Sequence, residues 1–173
     1  SLLTIGQGIP FFLKSFSQAN KVFIAGSFNG WNSNDIEMHK TDSGWIAECF
    51  LSPGNYEYKF VVDGKWITDP SNPITHGSGE YENSFYVYRP NYTFVLENYP
   101  HAKTVFVTGS FNGWMQHGYK MNWKENRWEL DIYLPKGKNT YKFIIDGNWI
   151  HDPANPTYEA NRFKSFDSVL WIE

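Results

Sequence analysis

Lysine and tryptophan recur as a pair around an Asp-Gly turn in both halves of the sequence. Lys59 and Trp66 flank the turn in KFVVDGKW, and Lys142 and Trp149 flank the turn in KFIIDGNW, 83 residues later. Asp-Gly between two apolar runs predicts a β-hairpin closed by a two-residue type I′ turn. This hairpin pairs Val61 with Trp66, and because side chains alternate along a strand, Lys59 shares a face with Trp66.

The face that carries this pair has the chemistry of a sugar-binding surface. A lysine is rarely buried without a partner, so we expect the face to be solvated and the indole of Trp66 to be exposed beside the Lys59 ammonium. The C–H face of a pyranose can stack on an indole while lysine and amide groups bond the surrounding hydroxyls. On the hairpin alone, the alternative that Trp66 packs beneath a loop stays open. Retention of both pairs in two diverged halves favours a ligand.

The hairpin belongs to a longer internal repeat. Residues 11–88 align with residues 94–171 at a constant offset of 83 and without a gap. The hexapeptide GSFNGW at 26–31 recurs at 109–114, and the segments DPSNP and DPANP keep the same register. Such self-similarity indicates two copies of one domain.

Each copy has the pattern of a small all-β domain. Short runs of Val, Ile, Phe and Tyr alternate with clusters of Gly, Asn, Asp and Pro, which predicts antiparallel β-sandwiches. We predict a first β-sandwich at residues 1–89, of which residues 1–10 are a leader, and a second at residues 90–173. The strands predicted for the first copy, each with a counterpart 83 residues on, are 10–14, 21–25, 44–50, 56–62, 65–68 and 84–88.

Several conspicuous residues have ordinary structural explanations. Trp45 and its counterpart Trp128 lie in predicted strands, where packing in the core is the expected role. Asp63 is explained as a turn residue, and Asp69 as the side chain that closes an Asx turn before proline.

Three strings of the first copy together resemble a known family. GSFNGW, YKFVVDGKW and DPSNP, followed about ten residues later by Asn83, are similar to the glycogen-binding domain of AMP-activated protein kinase β subunits. That domain belongs to carbohydrate-binding module family 48, which also includes domains that precede the catalytic barrels of glycogen branching enzymes and isoamylases. The resemblance covers nearly all of each copy. It implies two tandem immunoglobulin-like (early-set) β-sandwiches that bind α-1,4-linked glucan.

The resemblance also implies binding residues: two tryptophan platforms, a lysine and an asparagine, with a loop residue that embraces the sugar chain. In the first copy these residues are Trp31, Trp66, Lys59 and Asn83, with Tyr81 in the loop. The second copy keeps Trp114, Lys142 and Trp149. In the gapless alignment Phe166 replaces Asn83, with Asp167 next to it, and the loop YEANRFKS is bulkier and more charged. We therefore expect the second copy to bind more weakly, or to act mainly as a packing partner.

Composition and spacing argue against other classes of function. A net charge of −3 and a pI near 5.9 argue against a nucleic-acid partner. The apolar stretches are too short to span a bilayer, and a single cysteine, Cys49, forbids an internal disulfide. The five histidines lack metal-ligand spacing, and the sequence has no nucleophile elbow, phosphate loop or recognisable pair of catalytic carboxylates. We expect no metal, no cofactor and no catalytic residue.

The function predicted is non-catalytic binding of an α-1,4-linked glucan oligo- or polysaccharide, strongest in the first copy. Two alternatives stay open. In the first, the chain is an accessory region of a polysaccharide-active enzyme whose fused catalytic domain lies outside it. In the second, the chain is a scaffold for protein partners. The compartment stays open between the cytoplasm and, after removal of a signal peptide, the periplasm or the extracellular space.

Overall fold

The computed structural model describes residues 7–173, and its regular elements are strands and three single-turn 3₁₀ helices. The all-β prediction is therefore confirmed. The chain divides into two compact units, a first module that ends at Arg89 and a second module that runs from Pro90 to Glu173. Residues 1–6 of the predicted leader lie outside the described residues. Residues 7–10 are not a leader, because they pair as part of a strand.

Two antiparallel sheets make up the first module. A three-stranded sheet has the order β1-β5-β4, and a larger sheet has the order β3-β2-β6-β9-β8 with β7 paired to β6. The strands are β1 Gln7–Leu13, β2 Val22–Gly26, β3 Ile36–Glu37, β4 His39–Thr41, β5 Gly44–Leu51, β6 Gly54–Val62, β7 Lys65–Ile67, β8 Thr75–His76 and β9 Asn83–Tyr88. The 3₁₀ turns are Ser27–Asn29 and Gly79–Tyr81.

The second module repeats this arrangement. Its three-stranded sheet has the order β10-β14-β13, and its larger sheet has the order β12-β11-β15-β18-β17 with β16 paired to β15. The strands are β10 Tyr92–Leu96, β11 Val105–Gly109, β12 Tyr119–Lys120, β13 Asn122–Lys124, β14 Arg127–Ile132, β15 Gly137–Ile145, β16 Asn148–Ile150, β17 Tyr158–Ala160 and β18 Phe166–Ile172. The 3₁₀ turn is Ser110–Asn112.

The core of each module lies between its two sheets. Alternate residues of β5 are buried, as expected for a strand with one face toward a core. Trp45 on β5 and Trp128 on β14 are both buried, which confirms their expected packing role. From the larger sheet of the first module, the core receives Val22, Ile24, Tyr58, Phe60 and Val62.

The hairpin β6–β7 has the predicted register. Phe60 pairs with Ile67, Val61 with Trp66 and Val62 with Lys65. Asp63 and Gly64 have φ values of 47° and 84°, and a type I′ turn requires positive φ at both positions. The Asp63 carboxylate also accepts hydrogen bonds from the backbone N–H groups of residues 20 and 21, so the hairpin is tied to the start of β2.

The repeat contains a gap that the sequence alignment missed. In the first module the N–H of Asp69 donates to the Ser84 hydroxyl, 15 residues on; in the second the N–H of Asp152 donates to Ser168, 16 residues on. Ser84 pairs with Tyr58 on β6, and Ser168 pairs with the corresponding tyrosine of β15. The second module therefore has one extra residue before β18, and the gapless alignment is wrong beyond that point.

The extra residue changes one functional equivalence. Because Ser84 corresponds to Ser168, the residue before each serine also corresponds, and Asn83 matches Asp167. Phe166 is not its counterpart.

Among residues 7–173, no helix is long and apolar enough to cross a membrane.

Candidate functional site

The hexapeptide GSFNGW forms a strained turn that holds Trp31. After the 3₁₀ turn, the side-chain oxygen of Asn29 accepts a hydrogen bond from the N–H of Gly26, and the N–H of Trp31 donates to the Gly26 carbonyl. Gly30 and Trp31 have φ values of 62° and 60°. A left-handed conformation costs a tryptophan about 1–2 kcal/mol. The same conformation recurs at Trp114, with φ of 58°, so both modules retain this strain where it fixes an indole.

Trp31 and Trp66 come together on the outer face of the larger sheet. Their ring centroids are 6.3 Å apart and their planes are inclined by 44°. The side chain of Trp66 is 42% exposed. Val61, its cross-strand partner, is buried although it points away from the core, because the paired indole covers it. The two indoles therefore present an angled aromatic surface to solvent.

Lys59 and Asn83 lie beside this aromatic surface. The ladder that pairs Tyr58 with Ser84 places Lys59 opposite Asn83 at the next position. The Lys59 ammonium donates to the carbonyl oxygen of Glu80 at 3.0 Å, which ties β6 to the loop before β9. That loop carries Tyr81, whose side chain is 77% exposed.

A buried histidine and a carboxylate support Asn83. The Asn83 amide donates to Oε1 of Glu57 at 3.4 Å, and Nδ1 of His76 lies 2.7 Å from the same oxygen. Burial alone raises the pKa of the Glu57 carboxyl, but the hydrogen bond and charge of His76 outweigh it. The pKa of Glu57 therefore lies below its ordinary value. The carboxylate is held in its ionised form, ready to accept from Asn83.

The second module has an open pocket of about 750 Å³ at the corresponding place. Residues from the 3₁₀ turn, the β15–β16 hairpin and the loop before β18 all line it. They include Trp114, Lys142, Trp149, Asn161, Phe163 and Asp167. The three second-module residues predicted from sequence therefore share one pocket.

Lys142 does not lie on a solvated face, contrary to the sequence prediction. Its side chain is 9% exposed, its ammonium donates to the Ser165 hydroxyl at 2.6 Å, and it lies 3.7 Å from Oδ1 of Asp167. A carboxylate and a hydroxyl supply the partners without which a buried ammonium is unfavourable. Trp149 has the predicted exposure, at 42%.

Both lysines hold the loop that borders their own site. Lys59 bonds a backbone carbonyl of the first-module loop, and Lys142 bonds the Ser165 side chain of the second-module loop. Sequence reasoning had assigned them only to sugar hydroxyls. An ammonium has three donors, so an anchoring role leaves donors for a ligand where solvent reaches the group, as at half-buried Lys59.

The carboxylate and the amide come from different elements in the two modules. In the first module the carboxylate is Glu57 on β6 and the amide is Asn83 on β9. In the second, the carboxylate is Asp167 on β18, and the amide of Asn161 in the loop donates to it at 2.7 Å. Position 140, the counterpart of Glu57, is a threonine. Each site therefore keeps one lysine, one carboxylate and one amide.

Sequence reasoning missed the loop residues Asn161, Arg162 and Phe163. The available signal was an arginine followed by an aromatic residue in a segment with no counterpart of similar composition in the first copy.

The proposed Asx turn at Asp69 is present, since its carboxylate accepts from the N–H of Ser71 at 2.8 Å. Among the described residues, no group of three or more His, Cys, Asp or Glu side chains could hold a metal ion.

Comparison with known proteins identifies the modules. A family model described as the glycogen recognition site of AMP-activated protein kinase matches residues 9–93 and again residues 92–169. The chain belongs to this family. Each of its two glycogen-recognition modules accounts for one match, and the resemblance inferred from the residues is confirmed.

Individual relatives match over parts of the chain. The protein PTST homolog 2, chloroplastic, of Arabidopsis thaliana is 43% identical over 72 residues, which are 41% of this chain and 13% of that protein. The human 5′-AMP-activated protein kinase subunit beta-2 is 36% identical over 87 residues, 50% of this chain and 32% of that subunit. The chain thus spans less than a third of the length of these relatives. A maltogenic amylase from S. marinus superposes on 95% of this chain and 28% of its own, with 12% identity and a TM-score of 0.42, too low to support an argument.

Proposed function

We propose that the chain binds α-1,4-linked glucan through the outer faces of its two larger sheets and does not catalyse a reaction on it. The observation that carries the proposal is the pair of indoles, Trp31 and Trp66, held 6.3 Å apart on an exposed face. An angled pair of aromatic rings matches a curved chain of pyranoses, since each ring can stack on a C–H face. The family's description as a glycogen recognition site supports the same ligand class.

In the first module, Trp31 and Trp66 stack on successive glucose rings. The Asn83 amide donates one N–H to Glu57, and it bonds a sugar hydroxyl through its remaining N–H or its oxygen. Lys59 donates to another hydroxyl. Tyr81 closes over the chain from the loop that Lys59 anchors. Wet, shallow sites of this kind give dissociation constants of about micromolar to millimolar.

In the second module, Trp114 and Trp149 take the platform roles, with Lys142 beneath them. The expectation of weaker binding by this module rested on Phe166 standing in place of Asn83 and on a bulkier, more charged loop. Since Asp167 occupies the place of Asn83, the first of these reasons no longer applies. We assign a glucan site to each module.

Two linked sites give an advantage on a polymer. If one glucan chain reaches both, the second contact forms at a high effective concentration and the apparent affinity exceeds that of either site. The matched relatives are much longer than the segment they share with this chain. Within a longer protein, such modules would hold a fused catalytic domain or a bound protein partner against glucan.

Isothermal titration with maltoheptaose tests the proposal. Trp66→Ala and Trp149→Ala should each remove one site, and the double variant should bind nothing measurable. Trp171→Ala is the matched control, because Trp171 is 69% exposed and does not line the pocket of its module. Cellohexaose, which has β-1,4 linkages and is straighter, should bind much more weakly. Unchanged binding in the double variant would overturn the assignment of the platforms.

A further inference from the structure

The turn that holds Trp114 lacks hydrogen bonds that its counterpart in the first module makes. In the first module, the side-chain amide of Asn29 donates to the carbonyl oxygen of Asn32 at 3.2 Å and lies 3.4 Å from a carboxylate oxygen of Asp35. In the second module, the side-chain amide nitrogen of Asn112 is buried and has no acceptor among the described residues. A buried amide N–H without an acceptor destabilises the conformation that buries it.

Both acceptors are missing for identifiable reasons. The carbonyl at the position of the first-module acceptor is that of Met115, and it already accepts from the Thr108 hydroxyl at 2.8 Å and from the N–H of Gly118 at 3.0 Å. A carbonyl oxygen has two lone pairs, so both are taken. The carboxylate of Asp35 has no counterpart, because Gly118 occupies that position. A Cβ at Gly118 would lie 2.4 Å from the backbone oxygen of Val107.

Thr108 is the residue that takes the carbonyl. Its counterpart in the first module is Ala25, which has no hydroxyl, and both residues are fully buried. Thr108 pairs with Lys142 across β11 and β15, so it lies on the sheet face that carries the platforms. The hydroxyl has one hydrogen and also lies 3.1 Å from the side-chain oxygen of Asn112, so it can donate to only one of its two neighbours.

The backbone of the turn is otherwise the same in the two modules. The N–H of Trp31 donates to the carbonyl of Gly26, and the N–H of Trp114 donates to the carbonyl of Gly109, both at 2.9 Å. The two tryptophans have nearly equal φ values of 60° and 58°, so the left-handed conformation is equally unfavourable in both. The second-module turn therefore has the same backbone strain and fewer hydrogen bonds that oppose it.

We infer that Thr108 is a positioning residue that lowers the glucan affinity of the second module. It is buried and touches no ligand; it acts through Asn112 on the turn that holds Trp114. When only a fraction of the molecules have the turn closed, the apparent affinity falls by that fraction. The inference rests on the proposed function and adds to it the residue that makes the two sites unequal.

Thr108→Ala tests the inference in the full chain, with the first module silenced by Trp66→Ala. Loss of the hydroxyl leaves the carbonyl of Met115 free to accept from the Asn112 amide. Isothermal titration should then show maltoheptaose binding about fivefold tighter, the effect of one added hydrogen bond. If the threonine only filled space, its truncation would leave a cavity and would not tighten binding. Thr108→Ser is the matched control, because it removes the same methyl group, keeps the hydroxyl and should not tighten binding.

Amide hydrogen exchange of the free chain tests the turn itself. The N–H groups of Gly109 and Trp114 close the second-module turn, and those of Gly26 and Trp31 close the first. Protection should be lower in the second module, and Thr108→Ala should raise it there by about fivefold. Thr108→Ser should not raise it.

The outcomes separate this inference from the proposed function. If the unmodified chain does not bind maltoheptaose, the proposed function fails and the inference fails with it. If Trp66→Ala removes all binding, the second module is not a site and the inference is wrong. If the second module binds but Thr108→Ala leaves its affinity unchanged or weakens it, the glucan site stands and the role of Thr108 is wrong, whatever the exchange rates show.

Discussion

The ammonium of Lys142 lies 3.7 Å from a carboxylate oxygen of Asp167, and the two side chains are 9% and 14% exposed. In the corresponding pair of the first module, Lys59 carries a charge but Asn83 does not, and both side chains are half-buried. The polar groups next to the tryptophans therefore differ between the two modules. The difference has consequences for stability.

Lys142→Met should destabilise the second module much more than Lys59→Met destabilises the first. Removing Lys142 leaves the Asp167 carboxylate buried without its cation, and breaking a buried pair in this way costs about 3–5 kcal/mol. Lys59 makes one hydrogen bond to a backbone carbonyl, and its loss costs about 1 kcal/mol. Urea unfolding of the two variants measures both free energies. Equal losses would show that the buried pair contributes no more than an ordinary hydrogen bond.

Gly26→Ala should be more damaging than Gly30→Ala, although only Gly30 is left-handed. A Cβ at Gly26 would lie 2.4 Å from the backbone oxygen of Glu57, so the strand next to it must move. Overpacking of this kind costs about 1–3 kcal/mol and displaces β6, which carries Lys59. A Cβ at Gly30 meets nothing within 4 Å, and its cost of about 1 kcal/mol is backbone strain alone. Thermal unfolding compares the two, and the reverse order would contradict the packing argument.

The buried bond from Tyr141 to Asp152 should show a clear coupling energy. The tyrosine hydroxyl donates to Oδ2 of Asp152 at 2.7 Å in buried surroundings. Burial, reinforced by this carboxylate, raises the pKa of Tyr141, so the hydroxyl stays protonated. A double-mutant cycle of Tyr141→Phe and Asp152→Ala in urea should give an interaction of about 1–3 kcal/mol. The equivalent cycle in the first module, Tyr58→Phe with Asp69→Ala, should give less because Asp69 is more exposed. A coupling near zero in both modules would mean that the bond adds nothing beyond solvation.

Glu57 should make the stability of the first module depend on acid pH. Its pKa in the folded protein lies below the ordinary value of 4.5. The ionised carboxylate therefore adds stability that is complete above about pH 4.5 and is lost as the pH falls through the lower folded value. The melting temperature of the unmodified chain should exceed that of Glu57→Gln near pH 6, and the difference should shrink between pH 4.5 and pH 3. A difference that stays constant over this range would exclude the role assigned to His76 and Glu57.

Much of the fold was already determined by local sequence. Asp-Gly dictates positive φ at two successive residues, so the register of β6–β7 followed from two letters, and the alternation of side chains then placed Lys59 and Trp66 on one face. GSFNGW likewise determined a turn, because glycine and asparagine supply the left-handed conformation and the cap. These are short-range effects, and one chain segment contains all the atoms involved.

Three features were decided only by the tertiary structure. The equivalence of Asn83 with Asp167 depends on a one-residue insertion at the tip of β17–β18, where no local pattern constrains length; hydrogen bonds between distant residues, Asp152 and Ser168, set the register. The burial of Lys142 depends on a carboxylate and a hydroxyl that the loop brings to it. Phe163 enters the pocket because Asn161 bonds both its own loop and Asp167. Each depends on groups far apart along the chain or on the closure of a loop, and the energy of such contacts cannot be read from the order of residues in a single strand.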